Sequence, residues 1–176
     1  MQLFWSKGYE ATSLQDLLDA TGLSKSSLYE SFGNKQQVFE AAFTRYFDVR
    51  TMRMKERLEQ AASPLTFIRE CLVSVLDDTE CETPRGCMLV NVANEFSTGH
   101  PAVQSLVQRG TQRFRQVFEE AFAQAQASVE MPPTQPPAHL ALYMHCVMSG
   151  LRTQVKSGLV RSDLLKVIEL IMASLR

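Results

Sequence analysis

The run Ser24-Lys25-Ser26-Ser27-Leu28-Tyr29, with Lys35 just beyond it, has residue types suited to binding a polyanion. A lysine ammonium and a tyrosine hydroxyl donate to phosphate oxygens, and such contacts position a protein on nucleic acid without reading its sequence. Serines are small enough to let a backbone approach base edges in the major groove, where sequence is read. Lys35 falls in the first turn of a predicted helix, a poor match for the helix dipole, and a phosphate at that terminus accounts for its place. The bland alternative is a helical hairpin with a solvated serine face, and spacing alone leaves the two readings even.

A second group suits an apolar ligand. Cys87, Asn91 and Glu95 recur every four residues, as do Phe114, Phe118 and Phe122. With Met88, Met144 and Met148 as adaptable fillers, they have the composition of a small-molecule cavity: apolar, with a few polar groups. Plain core packing is the competing reading for each aromatic and Met, and solvation is the competing reading for Glu95. Cys81 and Cys87 flank a loop and suit oxidant sensing, with Arg85 the one candidate to lower a thiol pKa; inert thiols are the alternative.

Other chemistries find no support. The four cysteines, Cys71, Cys81, Cys87 and Cys146, form no CxxC pair. Reduced thiols in a cytoplasmic protein are the expectation. His100, His139 and His145 lack metal-ligand spacing. No Ser/His/Asp set or phosphate loop is present, so neither an enzyme nor a cofactor is expected. No apolar run approaches the roughly 18–20 residues of a membrane span. With 176 residues, 45% hydrophobic and 21% charged, and a net charge of -1, the chain is neither disordered nor a uniformly basic coat.

The elements that must position these residues read as helices throughout. Gly8 suits the position after a first helix, with Tyr9 packing back. Thr12 with Gln15 has capping-box spacing. Leu14, Leu17 and Leu18 then form a stripe that Gly22 stops, with Leu23 packing back. Ser24 caps the next helix, which turns Leu28 and Phe32 inward and Ser26, Ser27 and Glu30 outward. Asn34 with Gln37 starts a longer one, carrying Phe39, Phe43, Tyr46 and Phe47, to about residue 50. Residues 12–33 thus have helix-turn-helix spacing, whose second helix lies in the major groove. Beyond, helices are predicted from Pro64 to about residue 78, over 85–97, 101–129, 138–156 and 162–175, with a polar loop over 77–84 and a break at 132–137. The expectation is an all-α chain: a three-helix head over residues 1–50 and a larger helical body over 51–176.

The run Leu3-Phe4-Trp5-Ser6-Lys7-Gly8-Tyr9-Glu10-Ala11-Thr12-Ser13-Leu14, and then Thr21-Gly22-Leu23-Ser24-Lys25-Ser26-Ser27-Leu28-Tyr29 through Phe32-Gly33-Asn34-Lys35, resembles the DNA-binding head of the TetR family of bacterial transcriptional regulators. The resemblance covers roughly the first 50 residues. It implies a homodimeric, all-helical repressor that binds double-stranded operator DNA and releases it when the body takes up a small-molecule effector. Carried over, Thr12, Tyr29 and Lys35 are phosphate contacts, and Lys25, Ser26 and Ser27 meet the groove. Glu30 departs from that pattern, since phosphates repel a carboxylate, although one can accept from a cytosine amine. The head also holds five basic against six acidic side chains. That balance, and a first helix that begins without an N-cap, lead to the expectation that the natural chain starts upstream with a basic arm.

In the body, residues 138–151 and 164–175 are apolar over more than one stripe, where a surface helix needs one. A two-fold dimer covers such a surplus, and Ser149 and Gly150 permit close approach of helices. Burial within one subunit is the alternative. A two-fold dimer would require a pseudo-palindromic operator. The competing functional class is a helical interaction protein or enzyme whose hairpin binds no DNA.

Overall fold

The computed structural model describes residues 1–80, 88–96 and 100–175. Among them the regular elements are helices: α1 (Gln2–Lys7), α2 (Leu14–Thr21), α3 (Lys25–Phe32), α4 (Lys35–Gln60), α5 (Pro64–Val73), α6 (Met88–Glu95), α7 (Pro101–Ala127), α8 (Pro137–Lys156) and α9 (Arg161–Ala173), with a 3-10 segment (Ser74–Glu80) after α5. Packing groups Met1–Arg50 with Met88–Gly110 in a first unit, and Thr51–Cys87 with Thr111–Arg176 in a second.

The first unit is organised by caps and rings. Gly8 closes α1 at φ 84°, and Tyr9 stacks back on buried Phe4 at 6.2 Å between ring centroids. The capping box of α2 lies one residue later than the Thr12–Gln15 spacing suggested. Ser13 Oγ accepts from Asp16 N at 3.1 Å, and Asp16 Oδ2 accepts from Ser13 N at 2.9 Å. A carboxylate at this position accepts a backbone N–H more strongly than a neutral amide does. Gly22 ends α2 in the left-handed region, φ 68° and ψ 12°, where a Cβ would be strained. Leu23 is exposed instead of packing back.

Ser24 caps α3, its Oγ accepting from Ser27 N at 3.1 Å. Leu28 is buried, but Phe32 is 40% exposed, against the expectation that both point inward. Phe32 is the last residue of α3, and four residues advance a side chain about 40° around the axis and a full turn along it. Asn34 Oδ1 accepts from Gln37 N at 2.9 Å to open α4. Phe39, Phe43 and Phe47 descend its inner face and are all buried. Phe96, just after α6, completes this ring cluster, 5.3 Å from Phe39 and 4.9 Å from Tyr9.

Helix α4 does not stop near residue 50 but continues to Gln60. Residues 51–60 contain no Gly or Pro and are rich in Met, Arg, Lys, Glu and Leu, which propagate a helix. Chain direction changes at Ser63-Pro64, where Ser63 Oγ accepts from Thr66 N at 3.2 Å and Pro64 takes the first turn of α5.

The second unit buries Phe67, Ile68, Leu72, Phe122, Leu164 and Ile168 completely. The helix predicted to reach residue 78 tightens after Val73 into the 3-10 segment, which also replaces the first part of the predicted loop. Ser74 donates its hydroxyl to the Cys71 carbonyl at 2.7 Å, a back-bond that favours a tighter turn. The remainder of that loop, with Cys81, Arg85 and Cys87, lies outside the described residues. Arg69 pairs with Glu169 at 2.8 Å, fastening α5 to α9. After α7, Val129 takes φ 61° while 86% exposed.

Candidate nucleic-acid interface and effector residues

Helix α3 is a small helix held by one buried side chain. Leu28 anchors it; Lys25, Ser26, Ser27 and Glu30 are exposed, and Tyr29 is half-buried. The Ser24 hydroxyl lies 3.0 Å from that of Ser26 and 2.9 Å from that of Ser27. The first turn therefore presents a low, hydroxyl-rich surface with an ammonium at its start. Hydroxyl protons rotate freely, so these groups can re-aim toward base edges or phosphates.

Lys35 is held in place before any ligand arrives. Its Nζ donates to the Glu10 carbonyl at 3.3 Å and sits 4.4 Å above the Tyr9 ring. An ammonium has three donors, so a fixed Lys35 retains capacity for a phosphate. Thr12 is different. It is 0% exposed and donates its hydroxyl to the Gly8 carbonyl at 2.6 Å. A side chain so enclosed does not reach a phosphate directly; Thr12 shapes the turn between α1 and α2.

Contacts inside the head fix several of its carboxylates but leave its charge balance unchanged. Lys7 Nζ pairs with Asp16 Oδ1 at 2.6 Å. The Lys7 hydrogen bond, followed by the Ser13 amide and hydroxyl, draws the Asp16 carboxyl down to about 2. Asp19 accepts from Gln15 at 2.7 Å, and Glu40 from Gln36 at 2.9 Å. Glu30 remains the exposed carboxylate on α3 itself.

The expected effector residues separate between the two units. Met88, Asn91 and Glu95 belong to the first, and Phe114, Phe118, Met144 and Met148 to the second. Glu95 has a specific task there: its Oε1 accepts the Glu10 N–H at 2.8 Å, beside Gly8. Its carboxylate is therefore bound to the turn that precedes α2. Met88 is buried. In the second unit Phe118 and Met144 are core residues, and Met148 packs against that core. Phe114 is half-buried one turn before Phe118.

Two features escaped the linear pattern. The Glu95–Glu10 bond spans 85 residues, and no local spacing announces it. Arg115 and His145 are the other: each carries a ring or guanidinium nitrogen shielded from solvent without a hydrogen-bond partner. Burial, and then the Arg115 charge, push the His145 imidazole below its usual pKa. An arginine among Phe114 and Phe118 was the available signal.

On α8 and α9, Leu142, Tyr143, Val167 and Leu170 are exposed, Leu170 at 71%. No described helix is long and apolar enough to cross a membrane.

Comparison with known proteins bears directly on this geometry. Residues 1–42 match the family described as bacterial regulatory proteins, tetR family, and residues 64–163 match the tetracyclin repressor-like C-terminal domain. The HTH-type transcriptional repressor ComR of Escherichia coli (strain K12) is 30% identical over 175 residues, covering 95% of this chain and 80% of ComR. A cysteine mutant of the TetR family transcriptional regulator CifR, complexed with 26bp double-strand operator DNA, superposes with a TM-score of 0.82 at 27% identity, covering 99% of this chain and 91% of CifR. The reduced form of E. coli NemR shares the fold with a TM-score of 0.88 at 19% identity, covering 97% of this chain and 89% of NemR.

Proposed function

This chain belongs to the tetR family of bacterial regulatory proteins, and from that premise we propose that it is a homodimeric repressor released from its operator by a small-molecule effector. It works by binding and not by catalysis, in the cytoplasm. Residues 1–50 bind DNA; residues 51–176 dimerise and take up the effector.

The observation that carries this reading is the exposed first turn of α3 above a single buried anchor, Leu28. Lys25, Ser26 and Ser27 enter the major groove, while Tyr29 and Lys35 grip phosphates on its rim. Glu95 links α6 to the turn preceding α2, so a displacement of α6 is felt where the reading helices begin. The effector site is assigned to the second unit, at Phe114, Phe118, Met144 and Met148. The exposed apolar side chains of α8 and α9 support the dimer, because a patch of this kind is costly to leave in water. Two copies of α3 then demand half-sites about 34–36 Å apart or a multiple of that spacing.

A mobility-shift titration with DNA from upstream of the protein's own gene tests the reading. Saturable binding of a dimer to a pseudo-palindrome, weakened by a bulky residue at Ser26, is the expected result. Equal affinity for every duplex tested, or protection of a single half-site, would count against it.

A further inference from the structure

The interior of the second unit contains a pair of groups that packing does not account for. Arg115 lies on α7 and His145 on α8, both half-buried. Arg115 Nε and His145 Nε2 are shut off from solvent, and neither has a hydrogen-bond partner. Among the described residues no carboxylate pairs with Arg115. A polar atom buried without a partner destabilises a fold. Burial, and then the Arg115 charge, hold the His145 imidazole toward its neutral form.

Their surroundings are apolar. Phe118 follows Arg115 by three residues and Met148 follows His145 by three, so each pair shares one helix face. Phe118 and Met144 belong to the core, with Val147 and Met148 packed against it. Two unpartnered polar nitrogens in an apolar setting suit an organic ligand with one charged group. Its sign is set by the guanidinium, which is always a cation. A single fixed cation beside a neutral imidazole balances a monoanion and leaves a dianion half-compensated.

We propose that Arg115 and His145 together hold the carboxylate of a small organic acid, whose apolar part packs along Phe118 and Met148. This rests on the reading of the chain as an effector-released repressor and names the chemical class of the effector. The guanidinium supplies charge and a donor, and the imidazole supplies a second hydrogen bond. The bound carboxylate then gives both shielded nitrogens the partner they lack among the described residues.

The test uses the full-length dimer with octanoate and benzoate, against the uncharged matches octanamide and benzamide. Calorimetry, melting temperature and release of operator DNA are all read. The acids should bind, raise the melting temperature and release DNA, while the amides bind about tenfold or more weakly. Arg115→Met removes the guanidinium and its shielded, unpartnered Nε at similar length. It should leave the ligand-free melting temperature unchanged or higher, yet weaken octanoate by about tenfold or more. Arg115→Lys, which keeps the charge, should retain part of the affinity. The proposal is overturned if neither acid binds, if acids and amides bind alike, if Arg115→Met binds octanoate undiminished, or if that variant melts lower without ligand. Acids that bind while operator DNA stays bound would instead sink the effector reading and leave the carboxylate site standing.

Discussion

The first turn of α3 and the interior around Arg115 handle polar groups in opposite ways. At the start of α3, the exposed hydroxyls of Ser24, Ser26 and Ser27 satisfy one another, and Ser24 caps the helix. The Ser26 and Ser27 hydroxyls can exchange their partners for water or DNA at little cost, while Ser24 holds the Ser27 amide as the cap. In the second unit, Arg115 Nε and His145 Nε2 are enclosed and have no partner. One surface is a reader whose side chains contribute little to the fold; the other is an interior whose chemistry is inseparable from stability. Substitutions should therefore divide cleanly into those that spare the fold and those that do not.

The largest effect belongs to the interior. Phe122→Ala, at a fully buried position, should lower unfolding free energy by about 3–5 kcal/mol in chemical denaturation. A small loss would mean that this core collapses around the gap. Next, a bulky side chain at Ser26 should weaken operator binding by about 1–3 kcal/mol, the scale of a lost base contact. Its melting temperature should barely move, and a matching fall would erase the contrast between the two regions.

Gly22→Ala tests the left-handed turn between α2 and α3, and should cost about 1–2 kcal/mol in stability. Val129→Gly at φ 61° should have the opposite sign, stabilising by about 1 kcal/mol because a β-branched residue holds this conformation under strain. Thermal denaturation of the two variants decides both signs.

The smallest effects lie on the reading surface. Lys35→Ala should flatten the slope of log affinity against log salt by about 0.9, one phosphate contact. An unchanged slope would confine Lys35 to its bonds with Glu10 and Tyr9. Asp16 supplies the pH dependence. Its pKa falls from 3.8 when unfolded to about 2 when folded. Its contribution is therefore complete above the unfolded value and is lost as pH falls through about 2. The melting temperature should decline over that window in the parent and less in Asp16→Asn.

The same division separates what the order of residues reveals from what it hides. Gly8, Gly22, Ser24 and the Asn34–Gln37 cap act within a turn of themselves, so their meaning is written in adjacent letters. Helix α4 outran its expected end because residues 51–60 contain nothing that stops a helix, whatever unit they pack with. Spacing pointed to Thr12 as the cap, but Thr12 is buried with its hydroxyl on the Gly8 carbonyl, and Ser13 caps α2 instead. Phe32 belonged to the inward stripe by periodicity, but a stripe is buried only as far as the core extends. Glu95 and Arg115 were beyond local reading. Glu95 meets Glu10 across 85 residues, and the Arg115–His145 pair exists only once two helices are packed. Contacts that depend on the fold have no signature in local spacing.

The hydrogen bond between Glu10 and Glu95 bears on how the protein is made. A ribosome releases the first fifty residues well before residue 95, yet the unit they join also contains α6, with Phe96 closing the ring cluster around Tyr9 and Phe39. Until those later residues emerge, the nascent head carries uncovered aromatic rings and an unpaired amide at Glu10. Nascent segments of that kind are where aggregation begins and where chaperones bind. A released fragment ending near residue 60 should therefore be more readily cut by protease within its first fifty residues than one ending near residue 110, although both contain every residue assigned to DNA.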